Sequence, residues 1–199
     1  MREALEHYKI VVFLDADVVL PHLHVPLEWL LNYWDINPET LVAMAWDPEG
    51  EMNNDNRGRL YLNTGFVIAQ QSPRTKGISK RWDTCLDGSR YPECPQWSNR
   101  WPHEQGAFGT HVRYEYDLVE DVKALPCAEA NGWPEASNTE CLGRLVRHYW
   151  GAKHLVASWV QESVLRYVMP RLHDQFLREY QHIEVKWNDG SEEDEENVV

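Results

Sequence analysis

Ile10-Val11-Val12-Phe13-Leu14-Asp15-Ala16-Asp17 is the most informative segment of this 199-residue sequence. Five apolar residues in a row, three of them β-branched, are typical of a buried strand in a parallel sheet. The run ends on two carboxylates, and ligands of open α/β proteins bind outside the carboxyl ends of such strands. The alternative is an ordinary acidic turn, because Asp is common where a chain reverses direction. The segment predicts an α/β protein.

Asp15 and Asp17 together indicate a metal site. Two neighbouring carboxylates repel each other, whereas a divalent cation with oxygen ligands neutralises both and can also bind a diphosphate. A second apolar run, Thr40 to Trp46, also predicts a strand, and it too is followed by an acidic residue, Asp47. We therefore expect acidic side chains at more than one strand end.

Composition limits the class of protein. With 43% hydrophobic residues, the chain is long enough for one domain with a substantial core, which we expect over residues 1–186. The acidic residues between Asp189 and Glu196 predict a disordered tail over residues 187–199. A formal charge of −13 argues against nucleic acid or an anionic membrane as a partner, because those contacts need clustered Lys and Arg.

The sequence has no apolar run of the roughly 18 residues that a membrane span needs, and its first residues are too charged for a signal peptide. Its four cysteines form no Cys-x-x-Cys pair, which argues against a structural zinc site. If they form disulfides, we expect Cys85 to pair with Cys94 and Cys127 with Cys141. Spacing alone leaves both the connectivity and the compartment open.

Two further segments carry polar residues inside apolar or helical patterns. Residues 60–69 are apolar on both sides of Asn63-Thr64-Gly65. Glycine there permits close backbone approach, and the Asn63 amide suits a sugar hydroxyl, although a β-bulge explains the interruption equally well. Residues 103–108 predict the start of a helix that carries Glu104 and Gln105.

Together with His148, Gly151 and Lys153, these features resemble glycosyltransferases of the GT-A fold. In that family an Asp-x-Asp motif after a strand binds Mn²⁺ or Mg²⁺ and the diphosphate of a nucleotide sugar, and Asp15-Ala16-Asp17 matches it. Retaining members of the glycogenin and bacterial galactosyltransferase type add a late His, Gly and Lys. The resemblance implies that His148 is a third metal ligand and that Gly151 and Lys153 lie at the phosphates.

The same enzymes carry an Asn-x-Gly strand and an acid-Gln pair near the donor sugar. The residues that match these features are Asn63, Gly65, Glu104 and Gln105. The resemblance therefore implies a metal-dependent, retaining hexosyltransferase that uses a nucleotide-diphosphate sugar and a glycan or protein-linked acceptor. Sugar C–H faces stack on aromatic rings, so the loop residues Trp97 and Trp101 could hold an acceptor sugar, although most Trp residues belong to the core.

The sequence around the motifs looks closest to fungal galactosyl- and mannosyltransferases of the Golgi. That likeness implies the Golgi or secretory lumen, with membrane attachment only through a segment absent from this chain, while the lack of a targeting segment leaves the cytoplasm open. It also implies a mixed, mostly parallel sheet flanked by helices. By the same resemblance, the family's N-terminal nucleotide-binding portion, which should precede the acidic pair, is expected to be missing from this sequence.

Two other functions stay open at this level. Without the N-terminal portion, the chain could be a catalytically impaired remnant that binds a metal or a glycan and does not turn over. A haloacid-dehalogenase-type phosphatase would instead use Asp15 as nucleophile and Asp17 as general acid. That family needs a further acidic pair at a strand end, and the candidate is Glu120-Asp121.

Overall fold

The computed structural model describes residues 1–116, 119–136 and 140–180, so the predicted acidic tail lies outside the described residues. The strands are β1 Ile10–Leu14, β2 Val18–Val19, β3 Val42–Trp46, β4 Leu62–Gln70, β5 Val122–Leu125 and β6 Arg147–His148. The α-helices are α1 Leu27–Tyr33, α2 Pro73–Asp83, α3 Glu104–Thr110, α4 Cys127–Ala130, α5 Val156–Tyr167 and α6 Met169–Tyr180. Short 3₁₀ helices span Ala4–Glu6, Glu51–Asn53, Cys85–Asp87, Cys94–Ser98, Val112–Glu115 and Lys153–Leu155.

The main sheet has four strands in the order β1-β4-β3-β5. Strand β4 is antiparallel to both β1 and β3, and β3 is parallel to β5. The mixed α/β class is confirmed, but the expectation of a mostly parallel sheet is wrong because two of the three strand pairs are antiparallel. Strand β1 lies at the sheet edge rather than the centre, and Phe13 and Leu14 are exposed there.

Strands β1, β3 and β5 nevertheless point in the same direction, since the first two are both antiparallel to β4. Their carboxyl ends, followed by Asp15 and Asp47, therefore meet at one edge of the sheet, beside the beginning of β4. A two-stranded sheet continues this edge, with Val18 of β2 opposite His148 of β6. This pairing brings a residue from late in the chain to the acidic pair.

Helices cover both faces of the main sheet. Residues Val42 and Met44 of β3 face a core that includes Ile78 of α2 and Phe108 of α3. The alternate β3 residues, Ala43 and Ala45, belong to a second core that includes Trp34, after α1, and Ala130 of α4. A helix break near Pro170 separates α5 from α6, and every residue of α6 is exposed.

Both expected disulfides are present, Cys85–Cys94 and Cys127–Cys141. One local prediction is wrong. The alternation of Val112 with the tyrosines after it suggests a strand, but Val112–Glu115 is a 3₁₀ helix whose Val112 and Arg113 are buried. Among the described residues, no helix is both long enough and apolar enough to cross a membrane.

Candidate active site

A cavity of about 360 Å³ lies at the edge of the sheet where these strand ends meet. Eight of the nine residues that match the family line it, from four separate parts of the chain. They are Asp15, Asp17, Asn63, Gly65, Glu104, Gln105, His148 and Lys153. The fold therefore brings together residues that the sequence could connect only by resemblance.

Asp15, Asp17 and His148 form a group that can hold a metal ion, because their ligand atoms all lie within 4.8 Å of one another. The Nε2 atom of His148 is 3.2 Å from Asp17 Oδ1 and 4.0 Å from Asp15 Oδ2. The turn after β1 sets the two carboxylates, since Asp15 N–H donates to the Gly65 carbonyl and the Asp15 carbonyl accepts from Val18 N–H.

Burial shifts the pKa values of His148 and Asp15 in opposite directions. It lowers the pKa of His148, against the pull of Asp17 and Asp15, and so favours the neutral imidazole. It also raises the pKa of Asp15, where the charge of His148 acts in the opposite sense and Asp17 adds to the rise. Two carboxylates and a neutral imidazole form a mixed oxygen and nitrogen donor set, which could hold a divalent cation.

Lys153 and Gly151 differ in their relation to the cavity. The Lys153 ammonium lies 3.3 Å from Asp17 Oδ2, while 73% of its side chain is exposed. It can therefore move to an incoming anion without disturbing the core. Gly151 lies outside the cavity lining, and a Cβ added there would lie 3.3 Å from the Trp133 indole. Its predicted place at the phosphates stays a prediction.

The pairing of β4 with β3 is irregular at the Asn63-Thr64-Gly65 segment. The register between β3 and β4 shifts there, so Met44 faces Val67 while Ala45 faces Asn63. Close approach at Gly65 is also confirmed, and the approaching group is a side chain. A Cβ on Gly65 would lie 2.4 Å from the imidazole Cε1 of His148, so only glycine lets that ring reach the metal group.

The amide of Asn63 is engaged within the protein. Its Nδ2 donates to Asp47 Oδ1 at 2.8 Å, and its Oδ1 accepts from Gly65 N–H at 2.9 Å. The same oxygen lies 3.0 Å from His148 Nδ1. The structure thus gives Asn63 partners other than the sugar hydroxyl that the sequence suggested.

Glu104 and Gln105 begin helix α3, as predicted, and they face different surroundings. Gln105 is buried, with Nε2 donating to Asp47 Oδ2 and Oε1 accepting from Thr64 N–H at 3.3 Å. Glu104 accepts from the Thr64 hydroxyl at 3.0 Å and keeps its carboxylate at the cavity. Of the two residues, Glu104 is therefore the one that remains accessible to a ligand.

Asp47 also belongs to the site, although it is not among the residues that the family resemblance identifies. It is 5% exposed, lines the cavity, and accepts hydrogen bonds from both Asn63 and Gln105. Burial raises the pKa of Asp47, while the hydrogen bonds from Asn63 and Gln105 act to lower it. The available signal was its position directly after a predicted strand, which is the same context as Asp15.

The two loop tryptophans separate into a core residue and a site residue. Trp97 is 6% exposed and packs against Gly106, so the expectation that it holds an acceptor sugar is wrong. Trp101 is 51% exposed and lines the cavity, where its ring face is accessible to a sugar.

The phosphatase alternative loses its acidic pair. Asp121 lies before β5 and not after it, at the sheet edge opposite to Asp15, because β5 is parallel to β3. There it accepts two hydrogen bonds from the Arg74 guanidinium. The nucleophile and the second acidic site of a phosphatase must converge on one substrate, and these two edges of the sheet do not meet.

The fold is similar to those of solved glycosyltransferase structures. A crystal structure of a glycosyltransferase involved in glycosylation of the major capsid of PBCV-1 matches with a TM-score of 0.53 and 16% identity, over 81% of this chain and 69% of that one. The galactosyltransferase LgtC, in complex with donor and acceptor sugar analogs, matches with a TM-score of 0.43 and 13% identity, over 80% and 64%. No protein-family model and no curated protein matches. The first likeness supports the GT-A fold, while the likeness to fungal Golgi and glycogenin-type enzymes stays a prediction.

Proposed function

We propose that this protein is a metal-dependent glycosyltransferase, which moves a sugar from a nucleotide-diphosphate donor to a hydroxyl of a glycan or another acceptor. The observation that carries the proposal is the convergence of Asp15, Asp17 and His148 beside Lys153, in a chain with the fold of a known glycosyltransferase. We infer Mn²⁺ or Mg²⁺ as the cation from the donor set.

Electrostatics supports a cation in this cavity. Among the described lining residues, four carboxylates, those of Asp15, Asp17, Asp47 and Glu104, face one ammonium group, that of Lys153. Such a cavity repels a diphosphate unless a divalent cation offsets most of the negative charge. Asp15, Asp17 and His148 would hold that cation, which when bound stabilises negative charge on the departing diphosphate.

The protein groups then divide the remaining tasks. Lys153 can exchange its contact with Asp17 for a phosphate oxygen and so adds positive charge where the leaving group becomes more negative. Glu104 is accessible at the cavity and can accept hydrogen bonds from sugar hydroxyls. Trp101 offers a ring face to the sugar of the donor or the acceptor.

We further propose that transfer retains anomeric configuration. An inverting enzyme needs a carboxylate base that is free to take the acceptor proton, and no strand-end carboxylate here is free. Asp15 and Asp17 would hold the cation, and Asp47 is buried with both of its oxygens accepting hydrogen bonds from side-chain amides. Glu104, at the start of a helix, is the accessible carboxylate that remains. The anomer of the product, read by NMR, tests this part of the proposal. An inverted product would assign Glu104 as the base.

Calorimetry with Mn²⁺ tests the metal site. The parent should bind one ion, and Asp15→Asn and His148→Ala should each weaken binding strongly. Asp174→Asn and His173→Ala are matched controls because both residues are exposed on α6, and they should bind Mn²⁺ as the parent does. Equal binding by all five proteins would show that the site is elsewhere.

A screen of nucleotide sugars with Mn²⁺ then tests turnover. Transfer, or slow hydrolysis of one donor, that disappears in His148→Ala would support the proposed activity. Mn²⁺ binding without any turnover across the screen would instead favour the alternative of a remnant that binds a metal or a glycan only.

A further inference from the structure

The two nitrogens of the His148 imidazole face different groups. Nε2 points to the carboxylates of Asp17 and Asp15, and Nδ1 lies 3.0 Å from Asn63 Oδ1. A neutral imidazole carries one proton, and only the nitrogen without it can bind a cation. The position of that proton therefore decides whether Nε2 is available as a ligand.

Two independent contacts fix the orientation of the Asn63 amide. Its Nδ2 donates to a carboxylate oxygen of Asp47, and its Oδ1 accepts from Gly65 N–H. Rotating the amide by half a turn would set its carbonyl oxygen against that carboxylate and its NH₂ group against the Gly65 N–H. Because Oδ1 can only accept, the facing Nδ1 of His148 must carry the proton.

Asp47 is itself held in place. It is buried after β3, and its second oxygen accepts from Gln105 Nε2, so the side chain has no freedom to turn away from Asn63. A carboxylate is an acceptor only, which requires the amide of Asn63 to present its NH₂ group to Asp47. The orientation is therefore passed from Asp47 through Asn63 to His148.

We propose that Asp47 and Asn63 are positioning residues, which hold His148 with its proton on Nδ1 and so present the free Nε2 to the cation together with Asp15 and Asp17. This inference rests on the proposed function. With the proton on Nδ1, Nε2 and Asp17 Oδ1 are two acceptor atoms 3.2 Å apart, and both could bind the same cation. Neither positioning residue has to touch the metal.

A purely structural role is the competing explanation, because the contact between Asp47 and Asn63 also joins the end of β3 to the irregular part of β4. If the role is purely structural, substitutions should change the stability but leave the proton of His148 on the same nitrogen as in the parent. The position of that proton and the affinity for Mn²⁺ therefore distinguish the two explanations.

Imidazole ¹⁵N–¹H correlation spectra of the metal-free parent, recorded where His148 is neutral, test the inference without any variant. We expect the proton of His148 on Nδ1. A proton on Nε2 would overturn the proposal.

Variants test the direction of the effect. Asp47→Asn frees the amide of Asn63 to rotate, and Asn63→Leu removes the acceptor while keeping the volume. Each should move proton occupancy of His148 toward Nε2 and weaken Mn²⁺ binding about 10- to 100-fold. Asn53→Ala is the matched control because Asn53 lines the same cavity but donates to the Pro48 carbonyl. It should leave both measurements unchanged.

The double change Asp47→Asn with Asn63→Asp is the decisive rescue. The new carboxylate at position 63 can accept from His148 and from Gly65 N–H, while the new amide at position 47 donates to it and accepts from Gln105. The charge of the site is conserved. We expect the double variant to recover most of the Mn²⁺ affinity that Asp47→Asn loses, with the proton back on Nδ1.

Single variants that bind Mn²⁺ as the parent does, or a double variant no better than Asp47→Asn, would overturn the inference. Thermal melting of every variant shows whether a weak binder is simply unfolded. The ¹⁵N–¹H spectrum of the parent tests the proton position even if a variant does not fold. A parent without Mn²⁺ affinity would instead remove the proposed function. A parent that binds Mn²⁺ but carries the proton on Nε2 would remove only this inference.

Discussion

Gly65→Ala tests how the fold admits His148 to the metal group. The added Cβ would lie 2.4 Å from Cε1, 2.7 Å from Nδ1 and 2.9 Å from Nε2 of the His148 imidazole. Each distance is well below an ordinary contact of roughly 3.5 Å, so the ring must move by about 1 Å. Such a shift breaks the 3.0 Å contact with Asn63 and separates Nε2 from Asp17.

The expected energies follow from the packing. Forcing a methyl group into this filled space should destabilise the parent by about 1–3 kcal/mol. In a His148→Ala background the space is vacant, and Gly65 has ordinary extended backbone, so the same change should be neutral or stabilise by up to roughly 1 kcal/mol. The two substitutions should therefore be strongly coupled.

Urea unfolding of the parent, the two single variants and the double variant measures this coupling, and Mn²⁺ calorimetry on the same proteins measures the loss of the site. Gly65→Ala alone should reduce Mn²⁺ affinity nearly as much as His148→Ala does. Gly50→Ala is the control, since a Cβ there meets only the Asn53 side chain at 3.8 Å. An equal cost of Gly65→Ala in both backgrounds would refute the reasoning.

Three further predictions follow from other contacts. Lys153→Met should lower kcat and kcat/KM together by about a hundredfold, without a change in Tm, because the side chain is exposed and acts on the leaving group; early melting with normal turnover would contradict this. Asp55→Asn should cost about 3–5 kcal/mol in urea unfolding, since it leaves the buried Arg113 guanidinium without its counter-charge, and a cost below about 1 kcal/mol would contradict it. Hydrogen bonding from Arg90 lowers the pKa of Glu115 to about 2, so its stabilisation is present above the unfolded pKa of about 4.3 and is lost as the pH falls toward 2. Acid titration followed by circular dichroism should therefore show a flatter loss of stability for Glu115→Gln, and parallel curves would contradict the assignment.

Local patterns in the sequence determined several features correctly. The run before Asp15 predicts a strand, and the segment around Glu104 predicts the start of a helix, because each depends on residues close together in the chain. The polar residues and the glycine at Asn63-Thr64-Gly65 indicate an interruption of an apolar strand, and the register of β4 against β3 shifts there. The pairing of each cysteine with its neighbour along the chain was also correct.

Tertiary structure decided which elements became neighbours. An apolar run shows that its residues favour burial but not which strand will pair with it, so the sequence could not place β1 at an edge beside the antiparallel β4. Asp47 became part of the site because β3 runs in the same direction as β1, and its hydrogen bonds to Asn63 and Gln105 exist only in the folded chain. His148 reaches Asn63 across 85 positions of sequence, through the pairing of β2 with β6. Periodicity reports the environment that each residue prefers, whereas the site depends on contacts between distant segments, and only the packed fold specifies those contacts.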